Sequence, residues 1–313
     1  MTTVERLDQW RANDVITEAQ HDTLADIVTR KRFSVYVEIN ALLYVGVVSI
    51  VAGLGWTFRD YVVNLGDVAI LSILGLLMAG AFGYCFTKGP GYTNDEIESS
   101  SFGFDYVLYF ACLVLSATLA FIETRFAVFH GWDMHLLIAA LVFGSLAYRF
   151  DNRFVLSLAL STLAGYLGLK ISAFDTLDTD RLRFAGFLYG AFLIGFGALL
   201  HHRRIKAHFL DVYLQLGVNA VLLAAISGVL EPGIGWAYLI VLLVLAGSSI
   251  YLGVRYRRFA LVAYGTLYGY AGLSVRLLAA MGGVIIGLTY FIVTGSIVVI
   301  LLVVVARRFG RDE

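Results

Sequence analysis

The sequence predicts an all-α fold, a polytopic transmembrane helical bundle of about ten spans: two leading spans and then two parallel four-helix repeats. Three observations predict it. Of the 313 residues, 59% are hydrophobic and 15% charged, against roughly 45–50% and about 25% in soluble domains. The apolar residues gather in runs of about 20, the length that crosses roughly 30 Å of hydrocarbon. Lys and Arg are concentrated in alternate loops, the bias that sets orientation in a membrane.

Residues 1–38 read as a cytoplasmic helical hairpin. They are polar and charged, which argues against a cleavable signal peptide. Asn13-Asp14 is a turn signal. Thr17 and Gln20 have capping-box spacing, so a second helix should start at Glu18. Leu7, Trp10, Val15, Ile16, Leu24, Ile27 and Val28 are expected to form one small apolar seam. Units under about 40 residues rarely fold alone. The hairpin is therefore expected to lean on the membrane domain or on a cytoplasmic protein partner. Arg30-Lys31-Arg32 follows as a basic triplet suited to an inner membrane surface.

Two leading spans, 39–58 and 66–86, fill residues 39–103 together with a polar loop. Spans at 104–122, 134–150, 153–170 and 183–200 make up a first unit, 104–208. Spans at 209–230, 234–253, 259–280 and 283–306 make up a second, 209–313. Asp151-Asn152 alone joins the fourth span to the fifth, which demands a tight helical hairpin. Pro90 and Pro232 both fall in loops. With the amino terminus inside, 17 of the 23 Lys and Arg residues lie on the inner side. The expected location is the cell inner membrane, with both termini cytoplasmic.

The two four-helix units resemble each other. Residues 162–169 read Thr-Leu-Ala-Gly-Tyr-Leu-Gly-Leu and residues 266–273 read Thr-Leu-Tyr-Gly-Tyr-Ala-Gly-Leu. Gly144-Ser145 with Tyr148 echoes Gly247-Ser248 with Tyr251. The units begin near Asp105 and Asp211 and end at Arg203-Arg204 and Arg307-Arg308. An even number of spans per copy makes the repeats parallel, an arrangement found in several transporter folds.

Catalytic and cofactor motifs are missing. Lys88-Gly89-Pro90-Gly91 lacks the glycines before, and the Ser/Thr after, that a phosphate loop needs. Cys85 and Cys112 sit in apolar runs without metal-ligand spacing and read as packing residues. His130, Asp133 and His135 lack a fourth ligand for zinc. Net charge is zero, so there is no global basic field for nucleic acid. Glu123 and Arg125 are expected to pair at the outer surface. Gly186-x-x-x-Gly190, Gly265-x-x-x-Gly269 and Gly283-x-x-x-Gly287 predict close helix approach.

The candidate site is a polar stripe on the seventh span. Asp211, Gln215 and Asn219 are spaced i, i+4, i+8 and share one helical face. Asn219 falls near mid-bilayer, where lipid supplies no hydrogen-bond partner. Tyr264 and Tyr268 share a face of the ninth span. The stripe and the repeat together predict a transporter or flippase-like protein for a small or lipidic solute, with these five residues lining a cavity among membrane lipids. The alternative is a non-transporting scaffold or sensor whose amino-terminal hairpin binds a partner. It predicts a close-packed interior.

A short helical pair leading into an apolar span, here with Gly53-Leu54-Gly55-Trp56, and then about ten spans resembles a bacterial family of predicted membrane proteins of unknown function. The segment Ala147 to Phe154 is similar to one branch of that family. The resemblance implies a bacterial inner membrane. It implies no activity, cofactor or site residues.

Overall fold

The computed structural model describes residues 3–13, 15–18, 20–21, 45–49, 53, 66–96, 103–128, 131–172, 179–280 and 284–309. Most of the first expected span, the Arg30-Lys31-Arg32 triplet and most of the second amino-terminal helix lie outside the described residues; residues 45–49 and 53 of that span are helical. The described regular structure is helical throughout: α1 (Thr3–Ala12), α2 (Asp67–Lys88), α3 (Phe104–Phe126), α4 (Trp132–Phe150), α5 (Arg153–Ser172), α6 (Thr179–His202), a 3₁₀ turn (Ala207–Phe209), α7 (Leu210–Val229), α8 (Gly235–Arg255), α9 (Phe259–Ala280) and α10 (Val284–Phe309). Among the described residues eight helices, α2 to α8 and α10, are long and apolar enough to cross a membrane. Helix α9 has similar length but, with polar tyrosine, threonine and serine side chains and Arg276 among its residues, is not among those eight. The chain is thus a polytopic helical bundle.

Helices α3 and α6 overrun their expected apolar stretches. Helix α3 continues through Glu123 and Arg125, and α6 begins at Thr179 rather than at 183. The reason is that backbone hydrogen bonding needs no apolar side chains once the helix reaches the interface. Near the amino terminus, the Thr17 amide donates to Gln20 Oε1 at 2.9 Å and the Gln20 amide to Thr17 Oγ1 at 3.3 Å, the expected reciprocal cap. His21 meets Asp8 of α1 at 2.9 Å, and Leu7 is buried beside this contact.

Successive helices alternate in direction, so their ends form two polar layers. One is rich in Arg and Lys, with Arg149, Arg153, Arg203, Lys206 and Arg258 among them, and is called the basic end below. Packing is densest within three pairs: α4 with α5, α6 with α7, and α8 with α9. A core of Leu108, Cys112, Phe143, Val155, Leu193 and Tyr213 joins α3 to α7. A second core centres on Leu222, Ala225, Leu239 and Leu242 of α7 and α8. The apolar stretch of α10 is unburied by the rest of the chain, as suits a helix facing lipid.

Glycines set the closest approaches. A Cβ on Gly190 of α6 would lie 2.5 Å from Val221 Cγ2 and 2.6 Å from the Gly217 carbonyl of α7. A Cβ on Gly265 of α9 would lie 2.5 Å from the Ala246 carbonyl of α8. In lipid such contact supplies the packing energy that the hydrophobic effect supplies in water.

The basic end is tied by buried polar groups. Asp151 Oδ1 meets Lys206 Nζ at 2.8 Å and His208 Nε2 at 2.6 Å, and the Lys206 side chain is 0% exposed. The Lys206 ammonium also sits 5.3 Å from the centre of the Tyr92 ring. Arg149 donates to the Pro90 carbonyl at 2.6 Å, and Arg153 pairs with Glu96 at 2.5 Å. Together these bonds hold the 89–96 segment against the α4–α5 hairpin. Asp151 takes the left-handed conformation, φ 58°, that the two-residue connection requires. Asn152 then caps α5: its Oδ1 accepts from the Val155 amide and its Nδ2 donates to Asp105, each at 2.9 Å. We expect Asn152→Ala to cost roughly 1–2 kcal/mol of stability, the usual range for a lost N-cap. Asn152→Asp should not rescue it, because it keeps the cap but sets a second carboxylate against Asp105. Unfolding in detergent measures both.

Candidate functional site

An apolar cleft of about 460 Å³ lies between α5, α6, α7 and α9. That volume lies within the range of small-ligand sites, about 300–1,000 Å³. It forms because α5 stands off from the tightly packed α6–α7 pair. Three of the α5 residues facing it are small, Ser161, Ala164 and Gly168, and a Cβ on Gly168 would meet nothing within 4 Å. Leu160, Leu167, Leu216 and Leu223 supply most of the wall.

The polar groups in the cleft are few and sit at defined depths. Asn219 is halfway along α7, and its Nδ2 donates to the Gln215 carbonyl at 2.8 Å. Tyr189 of α6 donates its hydroxyl to the Leu160 carbonyl at 2.6 Å, bridging α6 to α5 at the inner limit of the cleft. The far limit, away from the basic end, is closed by Arg183. Its side chain is 1% exposed. Nη1 meets Asp180 at 2.6 Å, Nη2 meets Glu231 at 3.0 Å, and Nε donates to Ser227 Oγ at 3.3 Å. The Tyr238 ring covers the guanidinium at 4.8 Å. Such a charge is tolerable at helix depth because every edge is engaged. Arg276 of α9 extends the tie by donating to the Glu231 carbonyl at 3.1 Å, lying where a side chain on Gly235 would collide with it.

The five candidate residues fall into three settings. Asn219 and Tyr268 line the cleft. Asp211 and Gln215 line a separate cavity of about 200 Å³ near the basic end, where Asp211 pairs with Arg258 at 2.7 Å. Tyr264 packs partly buried against the α7–α8 core. The stripe is thus divided between two cavities, because the helices around α7 differ with depth. The expected Glu123–Arg125 pair does not form. Arg125 reaches Asp67 of α2 at 2.7 Å, while Glu123 accepts from the Gly131 amide at 2.9 Å. Residues two apart on a helix point away from each other. Asp133 is engaged by Lys170 at 2.9 Å, and His130 lies outside the described residues.

Arg183 was missed in the sequence because it reads as one more loop charge beside Arg181. Tyr189 had no distinguishing spacing. The Asp151–Lys206–His208 cluster joins residues more than fifty positions apart, and nothing local announces it.

Residues 8–156 match the family described as predicted membrane protein (DUF2157). That match takes in the second half of α1, α2 to α4 and the Asp151-Asn152 turn, and stops in the first turn of α5. The cleft therefore lies beyond the DUF2157 match, on α5 to α9. No curated protein and no solved structure matches the chain.

Proposed function

We propose that the protein is a transporter or flippase-like carrier for a small or lipidic solute, and that the cleft is its binding site. The observation that carries this reading is a polar Asn219 at mid-helix depth in a sizeable apolar cleft. The cleft also lies where the two candidate repeats meet: α5 and α6 belong to the first, α7 and α9 to the second. Binding at the midplane between repeats is a common plan among transporters.

The packing pattern supports the repeat. Helices α3, α4, α5 and α6 have the same neighbour relations as α7, α8, α9 and α10. Asp105 at the start of α3 binds Asn152, and Asp211 at the start of α7 binds Arg258, after turns in which Asp151 and Arg257 both take positive φ. The Lys and Arg distribution supports an inner-membrane orientation with the basic end and both termini cytoplasmic. In this arrangement the segment 1–38 would be available to a cytoplasmic partner.

The test is access to position 219. In a Cys85→Ser, Cys112→Ser background, Asn219→Cys is expected to react from both faces of sealed vesicles with an uncharged, hydrophilic maleimide too polar to cross the bilayer. Reaction from neither face would overturn the carrier reading and favour the scaffold. Asn219→Leu is expected to abolish solute movement while changing stability by less than about 1 kcal/mol, because its one hydrogen bond within the chain is local. A matching thermal unfolding curve in detergent checks the second part.

A further inference from the structure

We propose that the cleft takes a long-chain amphiphile whose polar group is uncharged. This rests on the reading of the cleft as a solute site and names the class of solute. A chain leaving the bilayer for the cleft exchanges one apolar medium for another, so burial of the chain gives little selectivity. Selection therefore falls to the polar groups. Arg183 is the one cation lining the cleft among the described residues. Its charge is matched by Asp180 and Glu231, its Nε is held by Ser227, and its face is covered by Tyr238. Among the described residues lining the cleft, no free positive charge faces an anionic head group. A phosphate or sulfonate drawn to the depth of Asn219 would be stripped of water without a counter-charge, a large penalty.

An uncharged group meets a better match. Asn219 has two amide hydrogens and an acceptor oxygen, and the Gln215 carbonyl uses only one hydrogen. The Tyr189 hydroxyl, already donating to Leu160, retains acceptor capacity. A hydroxyl or amide on the solute can donate and accept at the same place. Leu160, Leu167, Leu216 and Leu223 then flank the chain.

The experiment uses the full chain in lipid nanodiscs and two photoreactive probes of equal chain length, a diazirine-bearing long-chain alcohol and the corresponding alkyl sulfonate. Adducts are mapped to peptides. The alcohol is expected to label α5, α6 and α7 at the cleft at least tenfold more than the sulfonate does. Cleft labelling should fall several-fold in Asn219→Leu. It should also fall in Ala164→Trp and Leu223→Trp, two independent ways to fill the cleft should one fail to fold. Equal or stronger cleft labelling by the sulfonate overturns the uncharged class and leaves the solute site standing. Labelling by both probes that is no greater at the cleft than on the lipid-facing surface of α10 overturns the solute site itself.

Discussion

Asp151→Asn is expected to destabilise the protein by roughly 3–5 kcal/mol, the cost of leaving a buried charge without its partner. Lys206 has no exposed side-chain surface, and Asp151 supplies its carboxylate at 2.8 Å. Tyr92 and Phe209 offer ring faces at 5.3 and 6.0 Å, which cannot replace a full negative charge. Asparagine tolerates the left-handed backbone at position 151, so the variant isolates the charge from the turn. Replacing both ends with Asp151→Asn and Lys206→Met should cost clearly less than Asp151→Asn alone. The measurement is a double-mutant cycle on unfolding in detergent. A change below about 0.5 kcal/mol for Asp151→Asn would mean that water reaches the cluster and the burial argument is wrong.

Gly190→Ala is expected to cost about 1–3 kcal/mol, the usual range for overpacking. The added methyl meets Val221 and the Gly217 backbone of α7 at 2.5–3.0 Å. Backbone cannot rotate aside as a side chain can, so α6 and α7 must separate. Gly195→Ala is the internal control, because a Cβ on Gly195 of the same helix meets nothing within 4 Å. Removing a glycine from a helix favours folding by up to about 1 kcal/mol when nothing clashes. The control should therefore be neutral or stabilising under the same denaturation assay. Equal losses in the two variants would show that the close contact between α6 and α7 at Gly190 does not set the effect.

The two predictions separate what could be read along the chain from what could not. Gly190 is legible because small residues four apart already imply close approach, although which helix approaches is not. Asp151 was legible as a turn residue, but its partners Lys206 and His208 belong to a distant loop. The polar stripe shows the same division. The spacing of Asp211, Gln215 and Asn219 places them on one face, yet Arg258 and α5 determine that the first meets a cation and the last a cleft.

The sequence by itself determined the helices, the apolar runs long enough to cross a membrane and the residues at their tight turns. Those follow from local hydrogen bonding and from a bilayer that admits only apolar runs of sufficient length. Tertiary structure alone decided that Arg183 is buried, that Lys206 and Asp151 meet, and that a gap opens beside Asn219. Each depends on the separation between helices remote in sequence, which is set by where small residues on one helix face carbonyls or open space on another.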